Sequence, residues 1–201
     1  MTTSEILAKF QLQVDDSSEL SSSEELDLAN DVYGDICDDR DWEWLKSTKT
    51  GTLSISLPYV SLPTNFKKII PNEYNKSYVL VGTSYRPYEV IPFSSRREHR
   101  DQDGYCYIDI PNSRLVFTKQ PTSTDSYEFD YIIIAPDLDT ISSNPLFRAG
   151  FHPIIAYGMA ARFNNLEQTD KTNSYQKENQ KLFNDTLTSM AIEDANIKLS
   201  I

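Results

Sequence analysis

Residues 33–57 read YGDICDDRDWEWLKSTKTGTLSISL, and within this stretch one hydrophobic period gives way to another. Upstream, Leu26, Ala29, Tyr33 and Ile36 recur every three or four residues, the spacing of a helix that buries one face. Ser21 with Glu24, or Ser22 with Glu25, has capping-box spacing, so a helix is predicted from about Ser22 to Asp38. Asp41 can cap a short further turn carrying Trp42, Trp44 and Leu45, after which STKTGT breaks the pattern. From Thr52 the period is two: Leu53, Ile55 and Leu57 alternate with Thr52, Ser54 and Ser56, as in a half-buried strand.

Working outward, Ile6, Leu7, Phe10 and Val14 predict a short N-terminal helix, followed by the polar linker DDSSELSSS. Strands are expected at Phe66–Ile70, Tyr78–Val81, Tyr88–Ile91, Tyr105–Ile110, Leu115–Thr118 and Tyr127–Ile134. PNSR at 111–114 reads as a hairpin turn, and QPTSTDS at 120–126 as the link between the next pair, giving an antiparallel meander. Residues 92–104, PFSSRREHRDQDG preceded by the strand ending at Ile91, form an exposed charged loop. Pro153 suits the first turn of a helix through Leu166, and Tyr175, Leu182, Phe183, Leu187 and Met190 mark another. The tail alternates loosely at Ile197, Leu199 and Ile201. The order is helices (1–50), antiparallel strands (51–136), helices and tail (137–201): an α+β fold whose N- and C-terminal helices pack together as a bundle, with six to seven short strands between them.

The chain has 201 residues, enough for a real core, and 39% hydrophobic with 11% aromatic content, which sets it apart from disordered chains. Thirty acidic against nineteen basic residues give a net charge of −11. Such a field repels phosphate backbones and disfavours tight DNA binding. The apolar runs fall short of the roughly 20 residues of a membrane span, and the N-terminal residues lack signal-peptide features, so neither membrane insertion nor export is expected. Cys37 and Cys106 have no metal-type spacing and read as free buried thiols in a reducing compartment.

No residue pattern points to catalysis. Asp35, Asp38 and Asp39 could converge on a cation, yet the calcium-loop pattern is missing, and a solvated helix end with Arg40 as counter-charge is the simpler reading. DQDG at 101–104 reads as a turn. His99 and His152 have no partner visible in the sequence, and the six glycines form no nucleotide-binding or nucleophile-elbow motif. Carboxylate pairs that could serve glycoside chemistry are guaranteed by chance among thirty acids. No cofactor or metal is expected. The positive cluster Arg96, Arg97, His99 and Arg100, interrupted by Glu98, Asp101 and Asp103, reads as a protein-docking surface. Ile192, Ile197, Leu199 and Ile201 make the tail a second docking candidate, as an added strand or wedge. Tyr33, Ile36, Trp42 and Trp44 read as a structural corner where the helical part hands over to the sheet. Two positions apart, the tryptophans are not expected to share one face.

Five segments, taken in order, resemble the head-to-tail adaptor (connector) proteins of tailed bacteriophages. They are LDLANDVYGDICDDRDWEWLKST (26–48), VSLPTNFKKI (60–69), YIDIPNSRLVFTKQP (107–121), YEFDYIIIAPDL (127–138) and NPLFRAGFHPIIAYGMAARF (144–163). The extra helix and Ser-rich linker before Ser21 and the charged loop depart from the family pattern. The resemblance implies a non-enzymatic virion protein at the capsid–tail junction, a ring usually of twelve copies beneath the portal protein, through which genome DNA passes without tight binding. In that family the helical parts tend to face the portal and the β-rich part the tail or neck proteins. The alternatives left open are a neck or tail completion protein, and a soluble small-molecule- or carbohydrate-binding domain or hydrolase using acidic residues.

Overall fold

The computed structural model describes residues 1–14, 20–72, 74–139, 142–166 and 172–199. The fold is α+β, and the chain divides into two compact units: Met1–Leu45 with Ala135–Ile201, which is helical, and Lys46–Ile134, which is β.

In the helical unit, α1 (Thr3–Gln11) and α2 (Ser22–Asp38) both start with complete capping boxes, Thr2 with Glu5 and Ser21 with Glu24. In each, the cap side chain satisfies an orphan amide of the first turn while the Glu returns the bond. α1 buries Ile6 and Phe10, and α2 buries Ala29, Val32, Tyr33, Ile36 and Cys37, the period read in the sequence. α3 (Pro153–Leu166) packs against both and against α4 (Thr172–Leu199). Ile154, Ile155, Ala156, Met159, Ala160 and Ala161 are all buried, as befits a helix with neighbours on several sides. Gly158 makes that packing possible: a Cβ there would lie 2.6 Å from Val32 Cγ1 and 3.0 Å from the Phe183 ring.

In the β unit the strands are β1 (Lys46–Thr52), β2 (Tyr59–Ser61), β3 (Phe66–Ile69), β4 (Tyr78–Val81), β5 (Arg86–Val90), β6 (Tyr105–Asp109), β7 (Arg114–Phe117) and β8 (Ser126–Ile133). Their order is β1-β8-β4-β5-β6-β7-β2, with β3 also on β8. The core holds Leu53, Leu62, Phe66, Val79, Cys106, Leu115, Phe117 and Phe129, with the Phe66 and Tyr131 rings stacked at 5.9 Å. PNSR makes the β6–β7 hairpin as expected, turning through Ser113 at φ 50°.

The meander does not hold. QPTSTDS joins no hydrogen-bonded pair: β7 lies between β6 and β2, while β8 pairs with β1 on one side and with β3 and β4 on the other. β5 and β6 are parallel, Glu89 opposite Tyr105 and Val90 opposite Cys106, because the loop between them crosses back before the next strand begins. The alternating Leu53–Leu57 is not a strand either. Leu53 points into the core, but Ser54–Leu57 closes a turn (Leu57 N–H to Ser54 O, 3.3 Å) that leaves Ile55 and Leu57 exposed. The strand is instead the polar KSTKTGT upstream. It is an edge strand whose inward positions are Ser47, Lys49 and Gly51, the last flat against the Tyr127 ring.

Gly158→Ala should gain about 1 kcal/mol of helix propensity and lose more to the clash with the fully buried Val32, for a net loss of about 1 to 2 kcal/mol in urea unfolding.

Candidate functional site

Tyr33, Ile36, Trp42 and Trp44, read as a corner at the hand-over to the sheet, lie inside the helical unit. α2 ends at Asp38, and a 3-10 turn at Glu43–Leu45 brings the chain back so that the Trp42 indole N–H donates to Ile36 O at 2.7 Å. Trp42 is fully buried. The tryptophans do share a face: their rings stack at 5.7 Å and 25°. The tight turn, not the α-helical spacing, sets their directions, and the 100° step per residue therefore misleads here. Phe147 packs edge-on against Trp44 at 5.4 Å, and the same ring meets Tyr33 at 6.0 Å and His152 at 5.4 Å.

Polar bonds tie the returning chain to α2. Asn30 donates to Leu138 O at 3.2 Å and accepts from Leu138 N–H at 2.7 Å, and the Tyr33 hydroxyl accepts from Leu146 N–H at 3.1 Å. Burial pushes the Tyr33 phenol far above its ordinary range, only partly opposed by the Leu146 amide. His152 is buried, its Nε2 2.8 Å from Phe147 O and its Nδ1 2.8 Å from Met1 O and 2.9 Å from the Met1 amino group. Asp194 of α4 accepts from Glu43 N–H at 2.7 Å and pairs with Lys198 at 3.0 Å. Phe147, Asn30 and Asp194 carry no local sequence signal, since each acts on a residue far away in the chain.

The acidic helix end gathers no cation site: Asp35 pairs with Arg162 and Asp39 with Arg40, and no group of three or more metal-type ligands exists among the described residues. Cys37 and Cys106 are buried thiols, neither in a disulfide. Among the described residues no helix is long and apolar enough to cross a membrane.

The charged loop opens with a 3-10 turn, Phe93–Arg97. Arg96 folds back on it, donating to Phe93 O at 2.7 Å with its guanidinium 3.8 Å from the Phe93 ring centre, while Arg97 and Arg100 are exposed. His99 lies against Tyr105 at 4.3 Å. The loop's end is fastened by Asp103, which accepts from Arg86 and from the Tyr88 hydroxyl, each at 2.8 Å. Partial burial works against the Asp103 charge, but the Tyr88 hydrogen bond and Arg86 outweigh it and hold the carboxyl below its usual range. These groups, with Gly82, Lys119 and Asp125, border a cavity of about 310 Å³.

The tail is not strand-like. α4 runs through to Leu199, so Ile192 and Ile197 lie on a helix and are 59% and 41% exposed, and Ile197 helps line a cleft with Trp44, Phe147, Phe151 and Met190. Leu199 is its last residue, and Ile201 lies outside the described residues. Alternation over three positions is too short to outweigh a helix already running.

Trp42→Ala should cost about 3 to 5 kcal/mol of folding free energy and Trp44→Ala roughly half as much, while Asp38→Asn and Asp39→Asn stay near wild type by urea unfolding. The raised Tyr33 pKa means that the unfolded chain ionises first: stability is intact below pH of about 10 and falls as pH rises beyond it. Tyr33→Phe should show a shallower decline over that window. No protein-family model matches the chain, and no curated protein matches it.

Proposed function

We propose that the chain is a virion structural protein, not an enzyme: a ring-forming head-to-tail adaptor that joins the portal vertex to the tail of a bacteriophage and forms part of the DNA channel. One observation carries the reading. Residues from three of the five segments that carry the resemblance lie far apart in sequence, yet they meet: Asn30, Tyr33 and Trp44 from the first, Leu138 from the fourth, and Leu146, Phe147 and His152 from the fifth. That part of the likeness lies in one bonded assembly, while the second and third segments belong to the β unit. The division into a helical and a β unit suits a part with separate surfaces for the portal and for tail or neck proteins. At −11 per copy, a ring of about twelve would carry well over a hundred negative charges, and those facing the lumen would let the genome slide past without sticking. Among the described residues, exposed Ile192, Arg97 and Arg100, with Ile197 at the cleft beside Trp44, are the proposed docking residues.

A second reading rests on the cavity bordered by Arg86, Asp103 and Lys119, whose volume reaches the lower end of small-ligand pockets. It makes the chain a monomeric binding domain for a small polar molecule. A neck or tail completion protein differs from the main reading only in its position in the particle.

Native mass spectrometry of the protein, alone and with portal protein, separates the two. The adaptor reading expects a ring-sized species, with portal if not alone. A monomer under both conditions whose Arg86→Ala variant loses a bound small molecule would favour the second reading.

A further inference from the structure

The link QPTSTDS at 120–126 joins no hydrogen-bonded strand pair, yet it is tied down at both ends. Gln120 Nε2 donates to Ile55 O at 2.6 Å, and Leu53 N–H donates to Asp125 O at 2.8 Å. Held in this way, the link forms one wall of the cavity of about 310 Å³. A second wall is the β4–β5 turn, where Tyr85 N–H donates to Gly82 O at 3.1 Å and Gly82, at φ 75°, donates to Ser126 O at 2.8 Å. Asp103, fastened to Arg86 and Tyr88, closes a third side. Each stretch is fixed by its own hydrogen bonds, so the cavity is preformed and a ligand entering it has little protein to order.

The lining sorts by depth. Leu53, Val81, Tyr88 and Phe117 are buried and form an apolar floor, while Thr83, Ser84, Thr122 and Ser123 are exposed and set hydroxyls around the mouth. Four charged groups stand among them, Arg86 and Lys119 against Asp103 and Asp125. The signs cancel. A phosphate or carboxylate would meet two carboxylates, and a metal ion or amine would meet two cations. A neutral ligand avoids both repulsions but still has to answer the charges. Arg86 and Asp103 bind each other and keep further donors and lone pairs to spare. A hydroxyl is the neutral group that both donates to a carboxylate and accepts from an ammonium or guanidinium. Several hydroxyls on a body with one carbon–hydrogen face for the floor describe a pyranose sugar. The volume lies at the lower end of the range for ligand pockets, which suits one such ring and not a chain of them.

We infer that the cavity binds a single neutral hexose ring, its carbon–hydrogen face on Leu53 and Phe117 and its hydroxyls bridging Asp103 and Asp125 to Arg86 and Lys119. This names the ligand class for the cavity of the second reading and rests on that cavity alone. Every lining residue belongs to the β unit, so the ring reading is neither needed nor opposed.

Saturation-transfer NMR on the full chain tests it, with glucose, mannose, galactose, N-acetylglucosamine and their methyl glycosides at millimolar concentration. Lactate, choline and L-leucine serve as anionic, cationic and zwitterionic controls. At least one hexose should be saturated and the controls should not. Arg86→Ala and Lys119→Ala should each weaken binding about tenfold, the loss of one charge-assisted hydrogen bond, in chains that still melt cooperatively. Methyl glycosides that bind as well as free sugars mark a glycan end as the source, and binding of free sugars alone marks a soluble one. No saturated hexose, a control saturated more strongly, or a sugar signal that both variants leave unchanged overturns the site. Sedimentation of the same samples with portal protein judges the ring reading separately.

Discussion

The helical unit is built from two pieces of chain that only non-local bonds hold together. Asn30 reads the backbone of Leu138 from both sides across 108 positions, and the Tyr33 hydroxyl takes the Leu146 amide across 113. Closing so long a loop costs chain entropy that grows only slowly with length, so what matters is whether the meeting point can be made strong. Here it is made from aromatics. Trp42, Trp44, Phe147, Tyr33 and His152 form a file of rings that buries large apolar area, and each buried polar atom in it has a partner: the indole N–H on Ile36, the imidazole on Phe147 and Met1. A half-satisfied network at this place would be worse than plain hydrocarbon.

The β unit depends on β8 in a similar way. It is the longest strand and the one that borders three others, so the sheet is organised around a segment that arrives last. The strands before it are short, and several have exposed apolar residues beside them, such as Ile55, Tyr85 and Ile110. Its pairing with β1 leaves a polar edge, and an edge of that kind is tolerated only when charge guards it or a partner covers it.

Much of this was legible in the residues. α2 falls where its capping box and period put it, and α3 where Pro153 and its period do, because these signals are local and act through a few neighbouring residues. Most strands were visible for the same reason. β1 was not, because an edge strand with one wet face buries little and needs no apolar alternation; the alternating residues beside it, Leu53 to Leu57, lacked a free neighbour and became a turn. Strand order was out of reach, since the parallel β5–β6 pair and the central place of β8 are decided by pairings between distant segments. Tyr33, Ile36, Trp42 and Trp44 stand out by residue type, but the stacking of Trp42 on Trp44 depends on the local turn, and Phe147, Asn30 and Asp194 can be recognised only once the chain has returned. The tail's short alternation yielded to the helix that precedes it.

As proposed above, the chain acts as a ring component and not as a self-sufficient domain. Electron-microscope averages of the purified protein mixed with portal protein test it most directly. The expected result is closed rings of about twelve copies seated coaxially on one face of the portal, as the adaptor resemblance implies. Portal particles that stay bare while the protein remains monomeric at concentrations well above those of the assembly would contradict it.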